Sequence, residues 1–336
     1  MGARWIGGPG LDEEVYRTIL EQMEDGVYFV DLQRRITYWN AGAERITGYS
    51  AEDVLDHCCS EGILRHVSES GRELCLAGCP LSAVMRDGKA REASVYLHHK
   101  AGHRVPVVVK ASAVRDSAGE ITGSVEVFHR RTATRFTQIT EWERREDASL
   151  DPLTDLGNRR FGEAHIGPVI EAVAAGDTTL GIVFIDVDMF KRINDTHGHR
   201  WGDAVLRMVG QSLANGLRSS DWPIRWGGEE FLAVMPGITT EGLAVAAERL
   251  RMLVEHSWIN IGDEQVRVTI SAGAIMVRPG ESLEAALERA DRLMYTSKRS
   301  GRNLVTGEHG PLPRSGGFAP MQIGMGPPDS GATLGA

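Results

Sequence analysis

The sequence predicts an α+β protein of two domains joined by a helix. Its 336 residues exceed what one domain usually holds, and 42% of them are hydrophobic, which is enough for two cores. The order of predicted elements also changes near residue 150. Before that point, two short strands and short helices precede three longer strands, and after it helices and strands alternate. This change indicates two separate sheets, each covered by helices.

The first domain is predicted over residues 15–130, after a Gly-rich, flexible segment at residues 1–14. It opens with a short amphipathic helix, because Val15, Ile19 and Met23 are spaced four apart. Asn40 follows the second strand and is placed to cap the next helix. The predicted strands read GVYFVD, ITYWN, REASVYLHHK, HRVPVVVKASAVRD and EITGSVEVFHR. An antiparallel sheet with helices on one face accommodates this order.

Residues 131–150 lack Gly and Pro and are highly charged, which predicts a connecting helix with Phe136, Ile139 and Trp142 along one side. A solvated linker is the alternative. The second domain is predicted over residues 151–306, with four helices alternating with strands. Its strands read LGIVFIDVD, PIRWGGEEFLAVM and VRVTISAGAIMV. Residues 307–336 are rich in Gly and Pro without periodicity, which predicts a disordered tail.

Charge and composition exclude several functional classes. Lys and Arg total 37 against 46 Asp and Glu, and the net charge of −9 disfavours a protein that wraps nucleic acid. No apolar run reaches the ~18 residues that span a bilayer, and the first residues lack the apolar core of a signal peptide. Four cysteines do not form a disulfide framework. We therefore expect a cytoplasmic protein with neither a nucleic-acid partner nor a membrane span.

Two acidic pairs mark a candidate site in the second domain. Asp186 and Asp188 end a strongly apolar strand, where alternation puts both on one face. Glu229 and Glu230 follow the Gly-Gly turn of a predicted hairpin. If the hairpin lies beside the strand, these acids converge and repel one another unless a cation sits among them. Carboxylate oxygens favour Mg²⁺ or Mn²⁺, which commonly bring nucleotide phosphates. The alternative is two unrelated acidic loops at the surface.

Short motifs in the first domain carry a resemblance to a known family. They read DGV at 25–27, FVD at 29–31, ITYWN at 36–40, and Glu44 followed by TGY at 47–49. Over roughly residues 15–130 the chain thus resembles a PAS sensor domain. An unrelated α+β domain is the alternative.

Four motifs in the second domain carry a more specific resemblance. They read DPLTDLGNRR at 151–160, FIDVDMFKRINDTHGHRWGD at 184–203, GGEEF at 227–231 and YTSKRSGRN at 295–303. In this order they resemble the GGDEF family, the diguanylate cyclases. The resemblance implies a palm-like fold, with a mostly antiparallel sheet and flanking helices. It also implies a homodimer that condenses two GTP into cyclic di-GMP and releases two pyrophosphates.

The resemblance further implies roles for individual residues. Asp186, the main-chain carbonyl of Val187 and Glu229 are the expected ligands of Mg²⁺ or Mn²⁺, and Glu230 is expected to share the metal. Glu229 is also the candidate base for the 3′-hydroxyl of GTP. Lys191 is expected to stabilise charge in the transition state. Both acids of the motif are present, so we expect an active enzyme.

A substrate site and an inhibitory product site are implied in the same way. The residues expected to bind the nucleotide are Phe190, Asn194, His199, Asp203, Lys298 and Arg302. Lys298 and Arg302 are four apart and are expected on one helical face, holding terminal phosphates. Arg218 and Asp221 match the RxxD spacing of the family's product site, with Arg249 as a third candidate. A surface turn with a local Arg–Asp pair is the alternative.

All cysteines of the chain, Cys58, Cys59, Cys75 and Cys79, fall in the PAS-like domain and are candidate sensor residues. Their spacing leaves open a zinc or iron–sulfur site, a thiol redox sensor, or small buried hydrophobic residues without a ligand. A haem bound through His98 or His99 is a further alternative. For the whole chain, the alternative to a cyclase is a receptor that binds GTP or cyclic di-GMP without turnover.

Overall fold

A computed structural model describes residues 13–131 and 149–314, apart from residues 60 and 77. The described chain forms two α+β units, one on each side of residues 132–148. The helix predicted to connect them, with Phe136, Ile139 and Trp142, lies outside the described residues, as do most of the predicted flexible N-terminus and much of the predicted tail.

The first unit is a six-stranded antiparallel sheet with four helices. Its strands are β1 Gly26–Asp31, β2 Ile36–Trp39, β3 Val67–Ser68, β4 Arg91–His98, β5 Arg104–Arg115 and β6 Ile121–Arg130. Its helices are α1 Glu13–Gln22, α2 Ala41–Thr47, α3 Ala51–Val54 and α4 Pro80–Asp87. The strand order is β2-β1-β6-β5-β4-β3, and every neighbouring pair is antiparallel. The predicted antiparallel sheet is confirmed.

Local signals explain much of this unit. The Oδ1 atom of Asn40 accepts from the N–H of Ala43 at 2.8 Å, so the predicted cap of α2 is confirmed. The same oxygen accepts from the N–H of Val27, which ties the helix start to β1. Tyr28, Trp39 and Phe128 belong to the buried core of this unit. The ring centroid of Tyr28 lies 5.5 Å from that of Trp39 and 6.1 Å from that of Phe128.

The second unit is a seven-stranded mixed sheet with helices on both faces and a separate two-stranded hairpin. Its strands are β7 Gly157–Asn158, β8 Leu180–Val187, β9 Trp222–Gly227, β10 Glu230–Pro236, β11 Ile259–Ile261, β12 Glu264–Val266, β13 Ile270–Met276, β14 Leu304–Gly307 and β15 Gly310–Pro311. Its helices are α5 Arg159–Ala175, α6 Phe190–His197, α7 His199–Gly216, α8 Thr240–Glu255 and α9 Leu283–Arg299. The sheet order is β15-β14-β13-β8-β10-β9-β7, and its central pairs are antiparallel.

The central strand β8 positions the acidic end of the sheet. It is buried along its whole length because separate apolar clusters cover its two faces. Such two-sided burial explains the uninterrupted apolar run before Asp186. The strand ends where β10 begins, so the two acidic motifs meet at one edge of the molecule.

Two boundaries differ from the prediction. The strand predicted over residues 266–277 is interrupted, because the chain leaves the β11–β12 hairpin at Val266 and enters the main sheet only at Ile270. The tail predicted from residue 307 starts too early, because β14 and β15 pair beyond that point. The N–H of Leu312 also donates to the carbonyl of Val305 at 2.8 Å.

The two units touch through the β4–β5 hairpin of the first and helices α7 and α8 of the second. Val67 and Tyr96 form a small buried cluster with Met252 and Leu253. Among the helices of the described ranges, none has the length and apolar composition that a bilayer crossing requires.

Candidate active site

The two predicted acidic motifs lie side by side. In the antiparallel pairing of β8 with β10, Asp186 is opposite Glu230. The main-chain N–H of Val187 donates to the carbonyl oxygen of Glu229 at 3.2 Å. Asp186 is buried, while both glutamates are partly exposed at the hairpin turn. The structure therefore brings together Asp186, Val187, Glu229 and Glu230.

One cation faces these acids. The Nζ atom of Lys298 on α9 lies 2.7 Å from a carboxylate oxygen of Asp186. Burial raises the pKa of Asp186, although the hydrogen bond and charge of Lys298 oppose this effect. Burial, reinforced by the charge of Asp186, also raises the pKa values of Glu229 and Glu230. The charges of Asp186, Glu229 and Glu230 thus repel one another at this site, and the charge of Lys298 opposes that repulsion.

The acids fit a divalent cation by their donor chemistry. Among the described residues, no three His, Cys, Asp or Glu side chains form a group that could hold a metal ion as they stand. Asp186, Glu229 and Glu230 nevertheless supply hard oxygen donors whose mutual repulsion a divalent cation would relieve. Mg²⁺ and Mn²⁺ prefer such donors.

Asp188 has a different role from Asp186. Its carboxylate accepts from the hydroxyls of Thr269 and Ser271, both at 2.7 Å. It also accepts from the main-chain N–H of Asn303 at 2.9 Å. These bonds join the end of β8 to the residues around β13 and β14, so Asp188 fixes the scaffold beneath the site.

The turn into α6 places Phe190, one of the residues predicted to bind the nucleotide, and Lys191. Met189 precedes the helix with φ 57°, in the left-handed region, and its side chain does not cap the helix. Phe190 is buried and anchors the first turn, whereas Lys191 is exposed. The first N–H groups of this eight-residue helix are therefore presented beside the end of β8.

Three of the residues predicted to bind the nucleotide, Asn194, His199 and Asp203, lie on two successive helices. The Oδ1 atom of Asn194 on α6 is buried without a hydrogen-bond partner. A Cβ atom at Gly202 would lie only 1.9 Å from that oxygen, so a side chain at position 202 would force the Asn194 side chain to move. His199 and Asp203 are both exposed near the start of α7.

The predicted pairing of Lys298 with Arg302 on one helical face is wrong. Helix α9 ends at Arg299, and Gly301 and Arg302 have φ angles of 108° and 66°. This turn takes Arg302 off the helix, because left-handed residues end a helical run. Lys298 remains on α9 and faces Asp186.

A support for the acidic hairpin was not predicted from the sequence. Arg225 on β9 donates from Nη1 to both carboxylate oxygens of Asp151, at 3.1 Å each. Its Nε and Nη2 atoms donate to the carbonyl of Gly228, at 3.0 and 2.8 Å. Burial alone would raise the pKa of Asp151, but hydrogen bonds from Thr154 and Arg225 hold it below its usual value. The only sequence signal was the motif DPLTDLGNRR that begins at Asp151.

Of the residues predicted for a product site, Arg218 and Asp221 lie just after α7, and Arg249 on α8 contacts the end of that helix. Asp221 is 4% exposed and accepts from the main-chain N–H of Arg218 at 2.9 Å. Burial raises its pKa, and the charges of Arg218 and Arg249 oppose this. The Nε atom of Arg249 donates to the carbonyl of Gly216 at 2.8 Å. The side chain of Arg218 is exposed.

In the first unit, the four cysteines are free thiols. Burial raises the pKa of Cys75 to about 11 and that of Cys59 still further. While no metal is bound, thiols with such pKa values stay protonated at neutral pH and are poor nucleophiles. Cys58 is partly exposed, and its Sγ contacts the carbonyl of Gln33 at 3.8 Å. Cys79 is also partly exposed and lies at the start of α4.

Comparison with known proteins agrees with this arrangement. The PAS fold matches residues 14–131, and the GGDEF domain, described as diguanylate cyclase, matches residues 148–304. The response regulator PleD of Caulobacter vibrioides is 41% identical over 166 residues, covering 48% of this chain and 37% of that protein. Diguanylate cyclase DosC of Escherichia coli is 36% identical over 173 residues, covering 51% of this chain and 38% of that protein.

Among solved structures, the GGDEF domain of DgcB from Caulobacter crescentus in complex with c-di-GMP is 35% identical. The match covers 48% of this chain and 96% of that one, with a TM-score of 0.47. The chain spans less than two fifths of the length of the two curated relatives. The two family matches follow one another in the order of the two structural units. The chain therefore belongs to the GGDEF family, with a PAS domain preceding its GGDEF domain.

Proposed function

We propose that the protein is a diguanylate cyclase, which condenses two GTP molecules into cyclic di-GMP and releases two pyrophosphates. The observation that carries this proposal is the juxtaposition of Asp186, Glu229 and Glu230 at the end of a buried strand, facing Lys298. A carboxylate cluster of this kind suits chemistry on a metal–nucleotide complex. Relatives named as diguanylate cyclases support the assignment.

In this reaction the 3′-hydroxyl oxygen of one GTP attacks the α-phosphorus of the other. A new P–O bond forms, the bond to the β-phosphate breaks, and pyrophosphate leaves. Glu229 accepts the hydroxyl proton, a role that suits a carboxylate whose pKa is raised by burial and by Asp186. Lys191 and Lys298 supply positive charge for the phosphates, and the first N–H groups of α6 hold a phosphate.

Mg²⁺ or Mn²⁺ would be held by Asp186, the Val187 carbonyl, Glu229 and Glu230, where it neutralises charge on the triphosphate. The guanine base is read by Asn194 and Asp203, because an amide and a carboxylate match its acceptor and donor edges. The unpartnered Oδ1 of Asn194 supports this role. His199, exposed at the start of α7, is proposed to lie near the nucleotide, and Arg302 to contact a terminal phosphate.

The enzyme works as a homodimer in this proposal. Cyclic di-GMP is two-fold symmetric, and each catalytic domain presents one GTP, so two copies must face each other. The PAS domain regulates this assembly. Its cysteines are proposed as buried hydrophobic residues, because burial keeps the free thiols of Cys59 and Cys75 protonated. A metal or iron–sulfur site is the alternative.

Incubation of the purified chain with GTP and Mg²⁺, followed by chromatography and mass spectrometry, tests the activity. Cyclic di-GMP should form and should be absent after chelation of the metal. Glu229→Ala should lower the rate by at least about 10³-fold, because it removes a ligand and the base together. Glu171→Ala, an exposed acid on α5, is the matched control. Binding of GTP without product, by the unmodified chain and by every folded variant of it, would favour a receptor instead.

Product inhibition is proposed at Arg218, Asp221 and Arg249. Arg218 is exposed and can bind a phosphate or a guanine edge with its planar guanidinium. Arg218→Ala should therefore raise the concentration of cyclic di-GMP that half-inhibits the enzyme by about tenfold or more. Arg292→Ala, an exposed arginine on α9, should leave it unchanged. An inhibition curve that Arg218→Ala does not shift would remove this site.

A further inference from the structure

The tip of the β4–β5 hairpin is fitted to a tryptophan of the catalytic unit. His98 stacks on Trp258 with ring centroids 3.5 Å apart and planes 7° from parallel. The N–H of Trp258 donates to the carbonyl of Gly102 at 3.2 Å, and Nε2 of His98 donates to the carbonyl of Trp258 at 3.3 Å. We call His98, Gly102 and Arg104, with His256 and Trp258 opposite, the docking contact.

Arg104 crosses the boundary between the units and is 1% exposed. Its Nε and Nη2 atoms donate to the carbonyl of His256 at 2.9 and 2.6 Å, and Nη1 donates to the carbonyl of Arg65. Burial lowers its pKa to about 9, and the charge of Glu73 opposes this. Carbonyl acceptors only partly offset the cost of burying a guanidinium, so its burial limits the net strength of the contact.

The positive charges around Trp258 also limit the net strength of the docking contact. The guanidinium carbons of Arg65, Arg104 and Arg267 lie 5.3, 5.1 and 4.9 Å from its ring centroid. Each gains from the cation–π interaction, but three like charges around one ring repel one another. The docking contact therefore combines a close steric fit with repulsion between like charges. This combination is expected of an interface that has to open.

The fit at the hairpin turn depends on one glycine. Gly102 has φ 98°, and a Cβ atom there would lie 2.4 Å from the carbonyl oxygen of Trp258. A side chain at this position is strained by the backbone and also collides with the partner unit. Gly119, in the turn between β5 and β6, has φ 87° with no atom within 4 Å of such a Cβ. A side chain would therefore strain the backbone at both positions, but it would collide with the catalytic unit only at Gly102.

The docking contact also includes residues of α7. The start of this helix carries His199 and Asp203 of the proposed nucleotide site. Asn215 donates from Nδ2 to the carbonyl of Arg104 at 2.8 Å. The N–H of Arg104 also points to the hydroxyl of Ser212, at 3.4 Å. At 1.5 Å per residue, Ser212 is about 14 Å along the helix from Asp203. The PAS domain thus contacts the C-terminal end of α7, and the N-terminal end of the same helix binds substrate in the proposed function.

We propose that the docking contact restrains the enzyme: the PAS domain holds the catalytic domain of the same chain in a low-turnover arrangement, and release raises the rate. This inference rests on the proposed function. Two catalytic domains must close on a pair of GTP molecules and separate again to free the product. A catalytic domain fixed to its own PAS domain loses part of the rigid-body freedom that both movements need.

The test compares full-length Gly102→Ala with Gly119→Ala. Hydrogen exchange reports docking through the amide of Trp258, which Gly102 protects in the docked state. Steady-state formation of cyclic di-GMP reports the restraint. Gly102→Ala should speed exchange around Trp258 and raise the rate by about fivefold or more. Gly119→Ala should change neither, and thermal melts confirm that both variants are folded.

Equal exchange around Trp258 in the two variants would overturn the docking contact. Faster exchange in Gly102→Ala with an unchanged or lower rate would overturn the restraint while leaving the contact in place. Product from Gly102→Ala alone, with the unmodified chain silent, would support it. If no variant makes cyclic di-GMP, the proposed function and the restraint both fail, and the exchange data still decide whether the domains dock.

Discussion

At the scale of single residues, the PAS interior holds an incompletely satisfied acid. Glu126 is 1% exposed and accepts from the hydroxyl of Tyr28 at 3.0 Å, and His66 lies 3.6 Å from the same oxygen. Its second oxygen and Nε2 of His66 are buried without a hydrogen-bond partner. Burial raises the pKa of Glu126 to about 7 and lowers that of His66 to about 4. Both groups are therefore driven towards their neutral forms.

This acid predicts a pH-dependent stability. From about pH 4.5 to about 7 the folded chain keeps a proton on Glu126 that the unfolded chain has released, so this acid makes folding less favourable as pH rises. Glu126→Gln should therefore raise the melting temperature of the PAS unit by about 4 °C or more at pH 8. The gain should shrink as pH falls towards 4.5. Glu92→Gln, on the exposed side of β4, is the control, and a gain independent of pH would contradict the argument.

Residue types at the site were predictable from the sequence, but their partners were not. The apolar run before Asp186 and the acids after the Gly-Gly turn predicted a carboxylate cluster, and β8 does pair with β10 there. The separate role of Asp188 depends on Thr269 and Ser271, which lie about eighty residues further along the chain. No local pattern encodes such a partner. Arg302 was misplaced because the spacing of four assumed a helix that ends before it.

At the scale of elements, the acidic hairpin depends on a support from the start of the domain. Arg225 holds the carbonyl of Gly228 and the carboxylate of Asp151 at once. Arg225→Met should free the turn and lower turnover by about tenfold, because misplaced catalytic groups lose much of their effect. Hydrogen exchange over residues 226–230 should rise while the global melting temperature changes little.

Arg278→Met is the matched control, since that arginine is exposed and pairs with Glu308 at the far side of the sheet. Turnover equal to that of the control would show that the β9–β10 turn needs no such support. At this scale the sequence predicted best where the signal is local, as with the Asn40 cap and the buried β8. The prediction failed between Val266 and Ile270. There Arg267 lies over the ring of Trp258, and the carbonyl of Thr269 accepts from the N–H of Asp188.

At the scale of the whole molecule, the sequence predicted two units but not their contact. The domain boundary follows from a change in element order, which any reader of the chain can see. The docking contact joins Arg104 to His256, about 150 residues apart, through main-chain carbonyls that carry no residue-specific signal. A buried arginine in an outwardly ordinary β-hairpin was therefore indistinguishable from a solvated one until the fold was known.

The symmetry of the proposed product makes a prediction for the assembled enzyme. Each half-site supplies one GTP, so a dimer needs two intact copies of Glu229 to complete both bonds. An equal mixture of unmodified chain with Glu229→Ala, at fixed total concentration after exchange of subunits, should give about one quarter of the full rate, since random pairing leaves about that share of intact dimers. Mixing with Glu171→Ala should give the full rate. A mixture at about half the full rate would mean that each copy acts alone, and the homodimeric mechanism would then have to be abandoned even if cyclic di-GMP is the product.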